Sequence, residues 1–260
     1  MPNNHNNWII SGLLHNQQKD YFGFVFAAEH HDNYYHAFAG IYDIDTHKIL
    51  WQHAESTQTF TANHIGRFFW NFSPINNNLI IGCQDERNKG QIFNLKIDLI
   101  EPTIITPTTS LTTDMKIKQL WSGYINGHLT LDHEEFVSSP AMWIQHTWDN
   151  NLDNQPALAQ LLCAFQAGTK LFAIQVPEKN GLHAALAGLY DNTGKRISMS
   201  QFIDLHLTNI HAHSIKLNSQ TNLKMVPLSS SSNYSAYLAQ IGNDNGFCLS
   251  QKKPLESRVH

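Results

Sequence analysis

The sequence predicts an all-β protein built from two related β-barrel domains in tandem. Three observations support this prediction: apolar residues alternate with a period of two, helical patterns are scarce, and one motif occurs twice. Apolar residues make up 42% of the 260 residues and charged residues only 15%, against about 25% charged in an average globular protein. A polar but weakly charged surface of this kind suits sheets with one wet face.

Short alternating runs, bounded by turn residues, predict the individual strands. In 93–99, every second residue is apolar, and in 21–28 three phenylalanines share one face, as in half-buried strands. Further strands are predicted at 8–14, 34–43, 48–53, 78–84, 119–131, 170–177 and 182–190. Turns are predicted at Asn76-Asn77-Asn78, Asn126-Gly127 and Asn192-Thr193-Gly194.

The best helical candidate begins at Asn154, a possible N-cap, and ends at Phe165. The competing interpretation is a strand over 161–166 that turns at Ala167-Gly168 into the next strand, and we favour it. Many short strands with few helices indicate a sandwich or a barrel. A barrel has the advantage that its closure removes exposed sheet edges.

A five-residue motif occurs twice. Residues 39–43 read Ala-Gly-Ile-Tyr-Asp, and residues 187–191, which lie 148 positions later, read Ala-Gly-Leu-Tyr-Asp. A period this long predicts two domains rather than a solenoid, with Tyr42 and Tyr190 on matching strands. Chance similarity between Tyr- and Gly-rich hairpins is the alternative.

The domain boundary is predicted in the polar stretch 150–156, which ends in a proline as linkers often do. We therefore assign 1–153 to the N-terminal barrel and 154–260 to the C-terminal barrel.

Charge and composition exclude several classes of partner. The formal net charge is −4, and no basic stretch is long enough to follow a phosphate backbone, so no nucleic-acid partner is expected. No apolar run reaches the roughly 18 residues of a membrane span. The N-terminus lacks the pattern of a signal peptide, so we expect a cytoplasmic protein unless an export signal precedes Met1. The oligomeric state stays open.

The three cysteines and the sixteen histidines do not predict a structural or metal site. Cys83, Cys163 and Cys248 are odd in number and widely spaced, so we expect small buried thiols rather than a disulfide or a zinc site. His211 and His213 share a strand face, but no third ligand accompanies them, so no metal is predicted. Motifs for nucleotides, serine hydrolysis and zinc proteolysis are absent, and no cofactor is predicted.

The densest group of candidate functional residues is 143–149, Trp-Ile-Gln-His-Thr-Trp-Asp. An extended conformation places Trp143, Gln145 and Asp149 on one face and His146 and Trp148 on the other. If it faces inward, His146 can act as an acid, a base or a hydrogen-bond donor. The alternative is a core histidine that is bonded to a backbone carbonyl.

Three segments resemble, in order and spacing, motifs of the hydroxyneurosporene synthase and AttH-like family. They are 7–13 (Asn-Trp-Ile-Ile-Ser-Gly-Leu), 122–132 (Ser-Gly-Tyr-Ile-Asn-Gly-His-Leu-Thr-Leu-Asp) and 143–148. The resemblance implies two tandem lipocalin-like barrels. It departs from the family at Asn6 and Asn7, which replace Glu and Trp, and at Gln145, which replaces Asp.

The resemblance implies binding of a small apolar molecule, such as a terpenoid, a lipid or a polyketide-like compound, in a barrel cavity. Residues expected to contact the ligand are Trp8, Trp121, Tyr124, Trp143, Gln145 and Trp148. In hydratase members of the family, an acid is expected to protonate a carbon–carbon double bond. Gln145 cannot supply that proton, because its amide does not titrate, so we expect weak or no catalysis.

Two alternative functions remain open. The first is a cofactor-independent hydratase, cyclase or isomerase that acts through His146 and Asp149, with Glu29 or Glu55 approaching from other strands. The second is a structural or partner-binding protein, which a large exposed apolar patch would favour.

Overall fold

The computed structural model describes residues 5–31, 34–59, 63–86, 90–100, 119–149, 159–177, 183–193, 195–200, 213–216, 222–230 and 234–252. This described part contains eighteen β-strands and no helix, which confirms the all-β prediction. It includes no helix that is long and apolar enough to span a membrane.

The first barrel is a sheet of ten antiparallel strands. They are β1 (His5–His15), β2 (Tyr21–His31), β3 (Tyr34–Asp43), β4 (Lys48–Thr57), β5 (His64–Ile65), β6 (Phe68–Ser73), β7 (Asn78–Gln84), β8 (Gln91–Leu99), β9 (Gln119–Thr130) and β10 (Glu134–Asp149).

The second barrel is a sheet of eight antiparallel strands. They are β11 (Ala159–Phe165), β12 (Lys170–Pro177), β13 (His183–Tyr190), β14 (Arg196–Ser200), β15 (His213–Lys216), β16 (Asn222–Ser230), β17 (Tyr234–Ile241) and β18 (Asp244–Lys252). Strand β11 confirms the predicted strand and excludes the helical alternative over these residues.

Both barrels follow the same topology, in which the first strand pairs with the last and strands that are neighbours in sequence pair, except at the two ends of each sheet, β4 and β5 or β14 and β15. The orders are β4-β3-β2-β1-β10-β9-β8-β7-β6-β5 and β14-β13-β12-β11-β18-β17-β16-β15. Tyr42 lies on β3 and Tyr190 on β13, the third strand of each barrel. The structure is thus two lipocalin-like barrels in tandem, related by internal duplication. The boundary predicted between residues 153 and 154 lies outside the described residues and stays a prediction.

A charged contact joins the two ends of the first sheet, strands β4 and β5. The carboxylate of Glu55 accepts hydrogen bonds from the backbone N–H of Arg67 at 2.7 Å and from its Nε at 2.6 Å. A Cβ on Gly66, whose φ is 56°, would lie 1.3 Å from Glu55 Oε2, so only glycine fits this turn. Burial alone would raise the pKa of Glu55, but the hydrogen bonds from Arg67 and His53 outweigh it and lower that pKa.

The cysteines correct one expectation. Cys163 and Cys248 form a disulfide across the paired strands β11 and β18. The expectation of three thiols was wrong because strand pairing brings together two residues that are 85 positions apart in sequence. Cys83 remains a free, buried thiol, and burial raises its pKa to about 12.

The turn predicted at Asn126-Gly127 is also wrong, because both residues lie inside β9. The glycine is required there by a close approach: a Cβ on Gly127 would lie 2.1 Å from the carbonyl oxygen of Asn94 on β8. Glycine inside a strand often marks such an approach.

Candidate functional site

A cup opens at one end of the first barrel. In an antiparallel meander, alternate hairpins lie at the same end, so β1–β2, β3–β4, β5–β6, β7–β8 and β9–β10 share a rim. Residues from these hairpins surround a cavity of about 990 Å³. The interior below it is filled by packed rings, since Phe93 contacts Trp51 and Phe24 at centroid distances of 6.0 and 5.4 Å.

The cup has an apolar floor. Its apolar lining residues are Phe22, Leu50, Trp51, Ile92, Leu129 and Leu131. Leu50 lines the cup together with its neighbour Trp51 because the pairing of β3 with β4 shifts at this point. Ile41 pairs with Trp51 and Tyr42 with Ile49, so Leu50 has no partner in the ladder. Such bulges redirect side chains, and Leu50 stays 39% exposed.

The rim of the cup is strongly acidic. Its carboxylates are Asp20, Asp43, Asp45, Asp85, Glu86, Asp132 and Glu135, and Arg67 supplies one guanidinium. Asn16 bridges the rim from below, because its Nδ2 donates to Asp20 at 2.9 Å and to Glu135 at 3.1 Å. An apolar floor beneath charged groups can hold a largely apolar molecule and orient its polar end.

A second buried layer, the inter-barrel layer, joins the outer faces of the two barrels. Trp143 on β10 is fully buried, and its Nε1 donates to the carbonyl oxygens of Cys163 and Leu171, both at 2.9 Å. Its ring meets that of Tyr190 edge to face at 5.6 Å. On the other side of the joint, Tyr42 stacks on Phe247 at 5.3 Å.

The inter-barrel layer also contains buried polar side chains. Gln145 is 4% exposed and accepts a hydrogen bond from Gln160. Glu29 accepts one from Gln251 Nε2 at 2.9 Å. Burial, followed by the charge of Glu29, raises the pKa of Tyr234 well above its ordinary value.

The structure separates the residues that the sequence groups as a site. Trp8 is buried at the end of the first barrel opposite the cup, with its ring 5.4 Å from that of Phe72. Trp143 and Gln145 face the second barrel, and Tyr124 is 48% exposed. None of these residues lines the cup.

For four predicted site residues the structure describes the backbone but not the side chain. They are Trp121, His146, Trp148 and Asp149. In the backbone ladders, His146 pairs with Trp8 on β1 and with Gln119 on β9. The functional roles of the four residues stay predictions. The two acids considered as partners of His146 have other contacts: Glu29 binds Gln251, and Glu55 binds Arg67. His211 also lies outside the described part, within which no group of three or more His, Cys, Asp or Glu is arranged to hold a metal ion.

Sequence reasoning missed the acidic rim. The available signal was the position of Asp and Glu in alternate predicted turns, which a meander brings to the same end of a barrel. Single acidic residues in turns are ordinary solvated groups, so the pattern becomes informative only after the strands have been numbered and paired.

Solved structures with the same architecture include two lipocalin-like proteins of two barrels. A candidate AttH protein from Nitrosomonas europaea has a TM-score of 0.60 and 14% identity, covering 95% of this chain and 92% of that protein. Kievitone hydratase from Nectria haematococca has a TM-score of 0.60 and 8% identity, covering 95% of this chain and 89% of the hydratase. At these identities the similarity concerns the fold. No family model and no curated protein matches the chain.

Proposed function

We propose that this protein binds a small, largely apolar molecule in the cup of the first barrel. The observation that carries the proposal is a concave, apolar floor within a cavity of about 990 Å³. Small-molecule sites usually measure about 300–1,000 Å³ and combine apolar surface with polar groups that orient the ligand, as the floor and the rim of the cup do. A terpenoid, a lipid or a polyketide-like compound fits this description.

The test compares the side chains of a leucine and an isoleucine that are adjacent in sequence and similarly exposed. Leu50 lines the cup and is 39% exposed, whereas Ile49 lies outside the lining and is 44% exposed. We expect Leu50→Gln to weaken the binding of decanol, measured by calorimetry, by about fivefold, because it removes roughly 1 kcal/mol of apolar contact. Ile49→Gln should leave binding unchanged. Equal loss in both variants would contradict binding in the cup.

Native mass spectrometry of protein purified from its source provides a second test. A co-purified hydrophobic molecule that Leu50→Gln loses and Ile49→Gln retains would identify the class of ligand directly.

The alternative proposal is an acid–base enzyme of the hydratase type, which a hydratase among the structural neighbours supports at the level of fold. It predicts turnover of an alkene substrate by the parent protein. If the protein only binds its ligand, Gln145→Asp gives no turnover and loses about 1–3 kcal/mol of stability at neutral pH, because a shorter carboxylate is buried beside Gln160.

The matched control for this variant is Gln145→Glu, which keeps the side-chain length and the acceptor for Gln160 Nε2. It should lose less stability than Gln145→Asp in urea denaturation. A buried, unpaired carboxyl has a raised pKa, so Gln145→Asp should regain stability as the pH falls. Clear alkene hydration by the unmodified protein would refute the binding-only function.

A further inference from the structure

We propose that the ligand of the cup carries a cationic group, an ammonium or a guanidinium, next to its apolar part. This inference rests on the proposed function and adds the charge of the ligand to it. It comes from the cavity lining, which combines the apolar floor with seven carboxylates and one guanidinium.

The single guanidinium of the lining is already neutralised within the protein. Arg67 Nε lies 2.6 Å from Glu55 Oε1 and 3.6 Å from Glu86 Oε1. Glu55 does not line the cup and is not one of the seven carboxylates of the rim. Its ion pair with Arg67 therefore neutralises the guanidinium and leaves the charge of those seven carboxylates in place. Arg67 therefore supplies no unpaired positive charge to attract an anionic ligand.

The carboxylates differ in their local partners. Asp43 accepts two backbone N–H bonds of its own turn, from Asp45 and Thr46, both at 2.9 Å. Glu135 is held by Asn16 and by His133, whose Nε2 is 2.7 Å away. Asp45 and Asp132 are exposed, and their carboxylates accept no hydrogen bond and form no ion pair within the described residues. These two carboxylates remain available to a ligand.

The carboxylates of the rim, next to an apolar floor, favour a ligand that is both cationic and apolar. Carboxylates of one sign around a concave, low-dielectric wall concentrate a potential that attracts cations. The Trp51 ring in the same lining also favours a cation, through the negative face of its π-system. A fatty acid would bring a further carboxylate into this rim, and like charges repel. An alkylammonium can place its alkyl chain on the apolar floor and its charged group beside the carboxylates of the rim.

The experiment measures the affinity of three probes that share one ten-carbon chain: decylammonium, decanol and decanoate, each below its micelle-forming concentration. We expect decylammonium to bind about tenfold more tightly than decanol, and decanoate to bind more weakly than decanol. In 1 M NaCl, where the Debye length is about 3 Å, the difference between decylammonium and decanol should fall to about twofold.

Charge-neutralising variants locate the effect. Asp45→Asn and Asp132→Asn, singly and together, should weaken decylammonium stepwise and leave decanol unchanged. The matched control is Asp98→Asn, which removes one negative charge from β8, outside the cup, where Asp98 pairs with Lys96 at 2.8 Å. This control should leave the affinity for all three probes unchanged.

The outcomes separate the inference from the proposed function. Equal affinities for the three probes, all weakened by Leu50→Gln, would uphold the cup as the site and overturn the cationic ligand. Binding of none of the probes would overturn the proposed function itself. Arg87 and Lys89 come between β7 and β8 in the sequence and are outside the described residues. Tightest binding of decanoate, lost in Arg87→Gln/Lys89→Gln, would show an anion site and overturn the inference.

Discussion

Within the described residues, the first barrel has ten strands and the second has eight, although both follow the same meander and pair their first strand with their last. The hairpin β5–β6, which carries Arg67, has no counterpart in the described part of the second barrel. This hairpin therefore supplies both the Glu55 contact that closes the first barrel and the guanidinium of the cup rim. In the second barrel, a disulfide links the neighbouring strands β11 and β18, and its two cysteines lie in the apolar interior.

The two barrels share one topology, but different residues form the joint between them and the cup of the first barrel. The tyrosine of the repeated motif serves the joint between the barrels in both copies: Tyr42 stacks on Phe247 of the second barrel, and Tyr190 meets Trp143 of the first. The residues that form the cup lie outside that motif, apart from Asp43. The shared motif thus maintains the joint, and residues outside the motif form most of the cup in the first barrel.

The largest expected effect comes from breaking the joint at Trp143. Trp143→Ala should lower the free energy of unfolding by about 3–5 kcal/mol, as for other buried aromatic residues, because it also leaves the carbonyls of Cys163 and Leu171 without its Nε1 donor. Phe247→Ala, on the other side of the joint, should have a similar effect. Trp51→Ala, in the half-buried floor of the cup, should cost less, and urea denaturation of the three variants will rank them.

The disulfide sharpens the difference in how the barrels are held. Cys163→Ala/Cys248→Ala should lower the free energy of unfolding by about 2–4 kcal/mol, because the unfolded chain is no longer cross-linked over a separation of 85 residues. Cys83→Ala, in the first barrel, is the control. Thiol counting on the unfolded, unreduced protein should find one free thiol. Three free thiols would contradict the pairing.

Lys170 makes the joint dependent on pH. Burial lowers the pKa of its ammonium to about 8, although Asp191 opposes the shift. The folded protein therefore releases this proton near pH 8, whereas the unfolded chain keeps it to about 10.5. The free energy of unfolding rises between those pH values, and below pH 8 the buried charge lowers it by a constant amount of up to about 3 kcal/mol.

The variant Lys170→Met tests this dependence. We expect it to raise stability at pH 7 by about 2 kcal/mol, since the lost contact of Nζ with the Trp143 ring, 5.3 Å from the centroid, offsets part of the gain. It should also abolish the rise in stability above pH 8. Lys96→Met, at a half-exposed position, should change neither property. The Cys83 thiol opposes this rise above about pH 9, because burial raises its pKa to about 12. In a Cys83→Ala background, stability that is flat from pH 8 to 10 would contradict the assignment.

The smallest expected effect tests the hydroxyl of Tyr42, the tyrosine of the first copy of the motif. Tyr42→Phe removes the hydrogen bond from Ser229 Oγ at 3.1 Å and keeps the ring stack on Phe247, so stability should fall by about 1 kcal/mol. Tyr42→Ala should cost several times more. Equal losses would show that the hydroxyl, and not the ring, holds this side of the joint.

The fold was largely predictable because period-two patterns are local. Strands β3 and β7 have the bounds that alternation predicts, 34–43 and 78–84. The errors arose from contacts between distant strands. Nothing near Gly127 in sequence reveals the backbone of Asn94 against it, and nothing near Cys163 reveals Cys248.

The candidate site was harder to predict than the fold. Trp143 and Gln145 are correctly placed on one strand face, but alternation does not tell whether that face lines a barrel or meets a second domain. The cup depends on a one-residue bulge at Leu50 and on the meeting of five hairpins. Both are consequences of strand register, which a single sequence does not specify.

The pairing of first with last strands sets the order of events during synthesis. The first barrel lacks its closing strand until Asp149 has left the ribosome, and the second until Lys252 has, about a hundred residues later. At about 5–20 residues per second, the interval is on the order of 5–20 s. For most of it, the apolar face that bears Phe38 and Tyr42 lacks Tyr234 and Phe247, the rings that stack on it in the folded protein. The nascent chain therefore has to be protected from aggregation, and a fragment that ends at residue 149 would expose this apolar surface permanently.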